Sequence, residues 1–490
     1  MQCDSTHQLA KHCLGWLTMP IVVSVCLIDQ SRAPAQELGR SQVLSAAKNA
    51  TEFLTAELST RGGYLWRYWA EDTNTREGEG VVNTETVWVQ PPGTPSVGEA
   101  FVRLYRATGE PVFLEAALKA AEALAAGQML SGGWQASVEF EPERRKKWAY
   151  RTHSKQPARA KDQSSLDDDK SQSAIRFIIQ LDAALDFENT KIHEMATYAL
   201  DGLLKYGQFS NGAFPQVWSS DPQWSAEGNA TGNIRASYPD SWPRKYQGHG
   251  EYWKRFTLND NLAPDVLKTL FMAEEIYGDA RFREAALRHA DFLVNAQMPE
   301  PQPAWAQQYS FMMQPIWARK FEPPAVTGGE SQGVIETLMW VYEQTGEDKY
   351  LDPIPKALDY LHASALPDGT LARFYELKTN RPLYFTKKYE LTYDDSDMPT
   401  HYGFKVSSRV EKLRQRYEVL RARGSNRPES MLKSRTPDSA AVGAAVNSLS
   451  HNGAWVNGGG MRYHKKTGDV VDMRTTVKNL NLLADFLSNH

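Results

Sequence analysis

The chain has 490 residues, 41% of them hydrophobic, and a formal net charge of −4. That length can bury a large core, and the near-balanced charge excludes a nucleic-acid binder working through bulk electrostatics. The three cysteines, Cys3, Cys13 and Cys26, all lie in the first 35 residues, so removal of that segment leaves no disulfide, catalytic thiol or thiolate metal site.

The N-terminus reads as a targeting segment. Lys11 precedes an apolar run from Leu14 to Ile28, shorter than the ~20 residues a membrane helix needs. A polar patch and the small-x-small pattern Ala33-Pro34-Ala35 follow. This predicts a signal peptide over 1–35, cleaved after Ala35, and an exported protein. A buried N-terminal helix is the alternative, and Pro20 within the run weighs against it.

After the leader, a helical hairpin recurs. Tyr105 to Leu118, Tyr277 to Leu287 and Tyr342 to Leu351 each carry an aromatic four residues after the turn glycine or its counterpart: Phe113 after Gly109, Phe282 after Gly278, Tyr350 after Gly346. A glutamine follows the first two glycines by 19 residues, at Gln128 and Gln297. Phe187 to Gln208 reads as a fourth, glycine-free copy. Each copy predicts a helix ended by a left-handed residue and an amphipathic helix running back, with an apolar stripe such as Phe113, Ala116, Ala117, Ala120 and Leu124. One hairpin cannot bury both faces, so stacking is required. The loops after the hairpins also repeat, as Gly63-Tyr64, Gly133-Trp134-Gln135, Ala213-Phe214-Pro215-Gln216 and Ala304-Trp305. The pattern predicts an all-α fold, an α/α toroid of repeated hairpins with long loops over a cleft, with an open superhelical solenoid as the alternative. The expected organisation is 36–160 as the N-terminal hairpin part and 161–490 as the catalytic part of the same domain.

Irregular stretches at 139–172, 218–256 and 374–438 interrupt the repeat, and long loops on such a scaffold tend to carry function. Four segments beside them concentrate chemistry. Asp167-Asp168-Asp169 stands at a helix start, where one aspartate suffices as a cap and three resemble oxygen ligands for a hard cation. Asn259-Asp260-Asn261 opens another helix and has the same two readings. Trp305 to Tyr309 and Trp317 to Pro324 put Arg319 and Lys320 among aromatics and prolines. Arg373 to Pro382 reads as a hairpin turned at Asn380, followed by Lys387 and Lys388. Carboxylates on one set of loops, and arginine, lysine and tryptophan on another, suit an acidic sugar polymer.

These segments resemble the pectic acid lyase family, polysaccharide lyase family 10. The likeness runs over roughly residues 165–390: an Asp-rich helix start at Leu166 to Phe177, Thr257-Leu258-Asn259-Asp260-Asn261, Trp305 to Tyr309, Ala318 to Pro324, and Arg373 to Pro382. The chain departs from the family at Asp168, Asp169 and Lys170, where small residues are common, and at Lys387, near a position where arginine is common. The resemblance implies a secreted pectate lyase cleaving polygalacturonate by β-elimination to 4,5-unsaturated products. It implies Ca²⁺ held by Asp167 and Asp260, Arg319 as base, and Lys320, Trp305, Trp317, Arg373, Arg381 and Lys387 on the substrate. A monomer is expected, with no nucleic acid and no membrane span. An inverting glycoside hydrolase using Asp167 and Asp260, or a non-catalytic pectin-binding protein, would share the cleft.

Overall fold

The structure, a computed structural model, describes residues 39–230, 232–424 and 438–490. The expected leader and its cleavage site lie outside the described residues. Helix α1 (Arg40–Phe53) precedes the first hairpin, α2 (Thr94–Thr108) and α3 (Pro111–Ala125). A short α4 (Pro142–Arg145) leads to the second, α5 (Lys170–Ala184) and α6 (Thr190–Gly202). A short α7 (Ala226–Asn229) precedes the third, α8 (Leu262–Tyr277) and α9 (Ala280–Asn295). The fourth is α10 (Gly328–Thr345) and α11 (Ile354–Ala363), and α12 (Val410–Arg423), α13 (Ser439–Asn447) and α14 (Met473–Asn489) complete the chain.

The turn glycines behave as their positions predict. Gly109, Gly278 and Gly346 sit at φ 72°, 65° and 72°, each returning its N–H to the carbonyl four residues back. In the glycine-free copy, Asp186 and Phe187 take the left-handed turn, at φ 53° and 62°. The aromatics after each turn are buried: Phe113, Phe282 and Tyr350 are 0%, 4% and 0% exposed.

The first helices of the hairpins form an inner row in which α2 packs on α5, α5 on α8 and α8 on α10, while the last helix, α14, packs on both α1 and α2. The protein is an α/α toroid. Repeated side-chain pins hold its outer layer. Gln128, Gln208 and Gln297 each donate to a carbonyl of their own loop and to one at the next outer helix, at Met195, Ala285 and Pro353. Each pin ties the loop after one hairpin to the outer helix of the next. Among the described residues no helix is long and apolar enough to cross a membrane.

Each hairpin also closes a small antiparallel ladder between the strand entering its first helix and the loop leaving its second. Thr86–Trp88 pairs with Ser137–Glu139, Ser164–Ser165 with Val217–Trp218, Phe256–Thr257 with Gln308–Tyr309, and Ala325–Thr327 with Phe374–Glu376. The ladders bring the starts of α2, α5, α8 and α10 to one end of the toroid. Within 374–438 the segment expected as a hairpin forms one, pairing Phe374 with Leu383 and Tyr375 with Pro382, with Asn380 left-handed at φ 59°. The charged run from Arg409 forms α12, which lays Val410, Leu413 and Leu420 against α10 and α11 and leaves its other residues half-buried or exposed.

Candidate active site

At that end of the toroid three carboxylates meet. Asp167, Asp168 and Asp260 each place an oxygen within 4.8 Å of the others. The backbone delivering them is unusual: Asp168 and Asp169 lie at φ 48° and 61° before α5, and Asp260 and Asn261 at φ 54° and 55° before α8. Consecutive left-handed residues with side chains are costly and persist only where the surroundings impose them.

Neighbours orient the carboxylates. Asp167 accepts from Lys170 Nζ at 2.5 Å and from Gln216 Nε2 at 2.6 Å. Gln90, in the loop before α2, donates to Asp168 at 3.0 Å, and Asn259 Nδ2 donates to Asp260 at 2.5 Å. Asp169 points away, accepting from Arg176 at 2.5 Å. Burial opposes ionisation of Asp167, but the Lys170 ammonium and Gln216 outweigh it and hold this carboxyl below the ordinary range. Asp168 is raised by burial and then by the charge of Asp167. Asp260 opens to solvent yet is densely surrounded, and burial followed by the charges of Asp167 and Asp168 pushes it up to about 8.

This donor set suits a hard divalent cation. Lys170 offsets one negative charge of the three, and Arg176 is committed to Asp169. The Oδ1 of Asn259 is buried without a hydrogen-bond partner beside Asp260. Clustered carboxylates with an uncommitted amide oxygen are the ligand chemistry of Ca²⁺.

Arg319 faces this group across the cleft, close enough for its charge to lower the pKa of both Asp260 and Asp168. It sits in the turn from Ala318 to Glu322, over a small aromatic core that includes Phe321, Phe374, Phe385 and Phe404. Its Nε donates to Glu322 Oε2 at 2.8 Å, a second guanidinium N–H reaches Glu322 Oε1, and Glu322 also accepts the Arg319 backbone N–H. Burial alone would lower the Arg319 pKa, but the pairing with Glu322 outweighs it and raises it; Glu322 is held low by the same pair. The Tyr402 hydroxyl donates to Glu322 at 3.0 Å, and the Tyr402 ring lies under both Arg319 and Arg373.

The remaining expected residues are placed unevenly. Lys320 is exposed, its Nζ 3.5 Å from the centre of the Tyr389 ring. Trp317 is half-buried and meets Trp242, Tyr246 and Phe385 edge-on. Arg373 pairs with Glu330 in the first turn of α10 and donates to the Gly403 carbonyl. Arg381 stacks on Tyr393, 3.4 Å from the ring centre. Lys387 is exposed and paired with Asp397 at 3.1 Å. Trp305 corrects the sequence expectation: it is 0% exposed, and its Nε1 donates to the Leu293 carbonyl inside the hairpin. Trp134 does the same to Leu124 and Trp455 to Ala445, so Trp305 is a scaffold pin repeated along the chain and cannot touch a substrate.

Sequence reasoning missed Gln90, Gln216, Glu322 and Glu330 as site residues. Nothing in the sequence links Gln90 to Asp168, 78 positions away. Glu330 had a signal, an acidic residue near the start of an inner helix, as Asp167 and Asp260 are.

Residues 128–341 match the family model for pectic acid lyase. No curated protein sequence matches the chain significantly. Among solved structures, the chain is similar to the family 10 polysaccharide lyase from Cellvibrio cellulosa, at 18% identity and TM-score 0.43 over 66% of this chain and 96% of that one. A mutant of that lyase in complex with trigalacturonic acid aligns at 18% identity and TM-score 0.43, over 67% and 98%. A family 76 mannosidase from Bacteroides thetaiotaomicron aligns at 10% identity and TM-score 0.40, over 91% and 97%.

Proposed function

We propose that the chain is a polysaccharide lyase, an exported, Ca²⁺-dependent pectate lyase that cleaves polygalacturonate by β-elimination and leaves 4,5-unsaturated oligogalacturonides. The observation that carries the proposal is the triad of carboxylates on two strained helix starts, facing Arg319. Asp167, Asp168 and Asp260 would hold the cation, and a bound Ca²⁺ supplies Lewis acidity toward a uronate carboxylate and so acidifies the C5 proton.

The chain's own residues supply the rest. Arg319, in its neutral form, removes the C5 proton, and the O4 leaving group departs with the electron pair of the broken C–O bond. Glu322 favours the charged guanidinium, so the rate should climb into the alkaline range as Arg319 loses its proton. Lys320, Arg373 and Arg381 would face uronate carboxylates, with Trp317 against a ring; Lys387 would join them on release from Asp397. Cleavage after Ala35 would release the mature enzyme, with residues 36–160 as its N-terminal part.

The hydrolase alternative fits less well. An inverting pair needs roughly 6.5–9.5 Å between carboxyl groups for its water, whereas Asp167 and Asp260 bring oxygens within 4.8 Å. The test is incubation with polygalacturonate, with Ca²⁺ or with excess chelator. Near-ultraviolet absorbance from the unsaturated product, lost on chelation, is expected. New reducing ends without absorbance would identify a hydrolase, and binding without turnover a lectin-like protein.

A further inference from the structure

A cavity of about 550 Å³ opens beside the Arg319 turn, between the Trp- and Tyr-rich insertion and the segment leading to Trp317. Trp242, His249, Arg255, Gln314, Trp317 and Pro324 line it. We propose that this cavity is an outer subsite for a galacturonate ring of the polymer, built by the 218–256 insertion. The proposal rests on the lyase reading above.

The walls offer what an acidic pyranose recognises. Trp242 and Trp317 stand 6.3 Å apart at 61°. Trp317 Nε1 donates to the Pro243 carbonyl at 2.8 Å, so its only donor is committed to fixing the insertion and it offers ring surface to a ligand. Arg255 is less committed. Its side chain makes no hydrogen bond to the described residues, its nearest carboxylate is Glu227 at 3.7 Å, and one face rests on the Phe311 ring. His249 accepts the Glu251 backbone N–H on Nδ1 at 3.0 Å, which puts a proton on Nε2 as a second donor. Aromatic walls with a few donors are the usual composition of a sugar site. A ring's apolar face would lie on the indoles and its carboxylate would meet the Arg255 guanidinium, whose contact with Glu227 is long. Trp317 lines the cavity two residues before Arg319, and Pro324 lines it two residues after Glu322, so the cavity adjoins the Arg319 turn.

The experiment measures initial rates on oligogalacturonates from trimer to hexamer for the wild type, Trp242→Ala and Arg255→Gln, with a melting curve for each. Both variants should lose roughly tenfold in kcat/KM on the hexamer, mainly through KM, the effect of one lost contact. The trimer should be nearly unaffected. Because Trp242 also packs on the aromatic core, Arg255→Gln carries the test if Trp242→Ala melts early. Equal losses at all lengths, or none at the hexamer, would overturn the subsite. If the wild type gives no ultraviolet-absorbing product, the lyase reading fails separately. Calorimetric titration of hexamer into the same three proteins then decides the subsite: weaker binding by the variants supports it and unchanged binding overturns it.

Discussion

Four inner helices start at the same end of the toroid, but two are entered differently. The chain enters α2 from Gly93 and α10 from Thr327 with extended backbone, at φ −73° and −118°. It enters α5 and α8 through pairs of left-handed residues, Asp168 with Asp169 and Asp260 with Asn261. Each such residue costs on the order of 1 kcal/mol, and the aspartates add like-charge repulsion. Hairpin stacking does not demand this, since α2 and α10 stack without it. The contrast separates helix entries that serve packing from entries that gather carboxylates.

The largest expected effect tests that separation directly. Asp260→Ala should lower turnover of polygalacturonate on the order of a thousandfold, since several kcal/mol of transition-state stabilisation is removed. It should leave the melting temperature unchanged or raised, because a repelling carboxylate is gone. Thr327→Ala, at the corresponding entry of α10, should do the reverse. Its hydroxyl is buried and donates to the Trp305 carbonyl at 3.0 Å, so its loss should cost about 1 kcal/mol of stability and leave kcat intact. Ultraviolet product assays and melting curves on both variants check the pair; equal behaviour would erase the distinction.

A cation should also relieve the repulsion, with a definite pH dependence. Asp260 is raised from its ordinary value of 3.8 to about 8, so the folded protein holds this proton more tightly than the unfolded chain. That contribution to stability is fully present below about 4 and is lost as pH rises through about 8. The rise in melting temperature on adding Ca²⁺ should therefore be larger at pH 8 than at pH 5. A shift of the same size at both would count against Asp260 as a ligand.

The Arg319 side of the cleft should respond more modestly. Glu322→Gln keeps one oxygen for the Arg319 backbone N–H, turns its amide N–H toward the Tyr402 hydroxyl, which can accept in place of donating, and removes the charge that raises the Arg319 pKa. The alkaline rise in rate should move down by about 1–2 pH units. A pH–rate profile fixed in place would point to a base other than Arg319.

The scaffold was largely legible because it repeats. A turn glycine and an aromatic four residues on are local demands, visible in sequence as soon as two copies are compared. The glycine-free copy was legible as a hairpin, although its left-handed Asp186 and Phe187 were not. The carboxylates were legible as clusters, but their meeting was not, since Asp167 and Asp260 are joined only by the packing of α5 on α8. Trp305 was misread for an instructive reason. Aromatics near arginine suggest a sugar platform, yet Trp134 already stood in the matching loop of an earlier hairpin, and a repeated tryptophan belongs to the repeat.

The smallest expected effect concerns the backbone alone. Asn261 holds φ 55° as α8 begins, with no side-chain hydrogen bond capping the helix. Asparagine is among the residues that tolerate this region, and glycine tolerates it fully. Asn261→Gly should change stability by no more than ~0.5 kcal/mol, because relief of the left-handed strain and greater freedom of the unfolded chain nearly cancel. Asn261→Val should cost about 1–3 kcal/mol, since a β-branched residue resists positive φ, and should reduce activity by displacing the adjacent Asp260. Gly93 marks the contrast at α2. Its φ is ordinary, and it is glycine because a Cβ would lie 2.4 Å from the Trp88 carbonyl oxygen. Gly93→Ala should therefore destabilise through a clash without touching the carboxylates. Denaturant midpoints and product assays on the three variants separate a conformation kept for the site from one kept for packing. An Asn261→Val protein with normal activity would show that Asp260 does not depend on the left-handed entry.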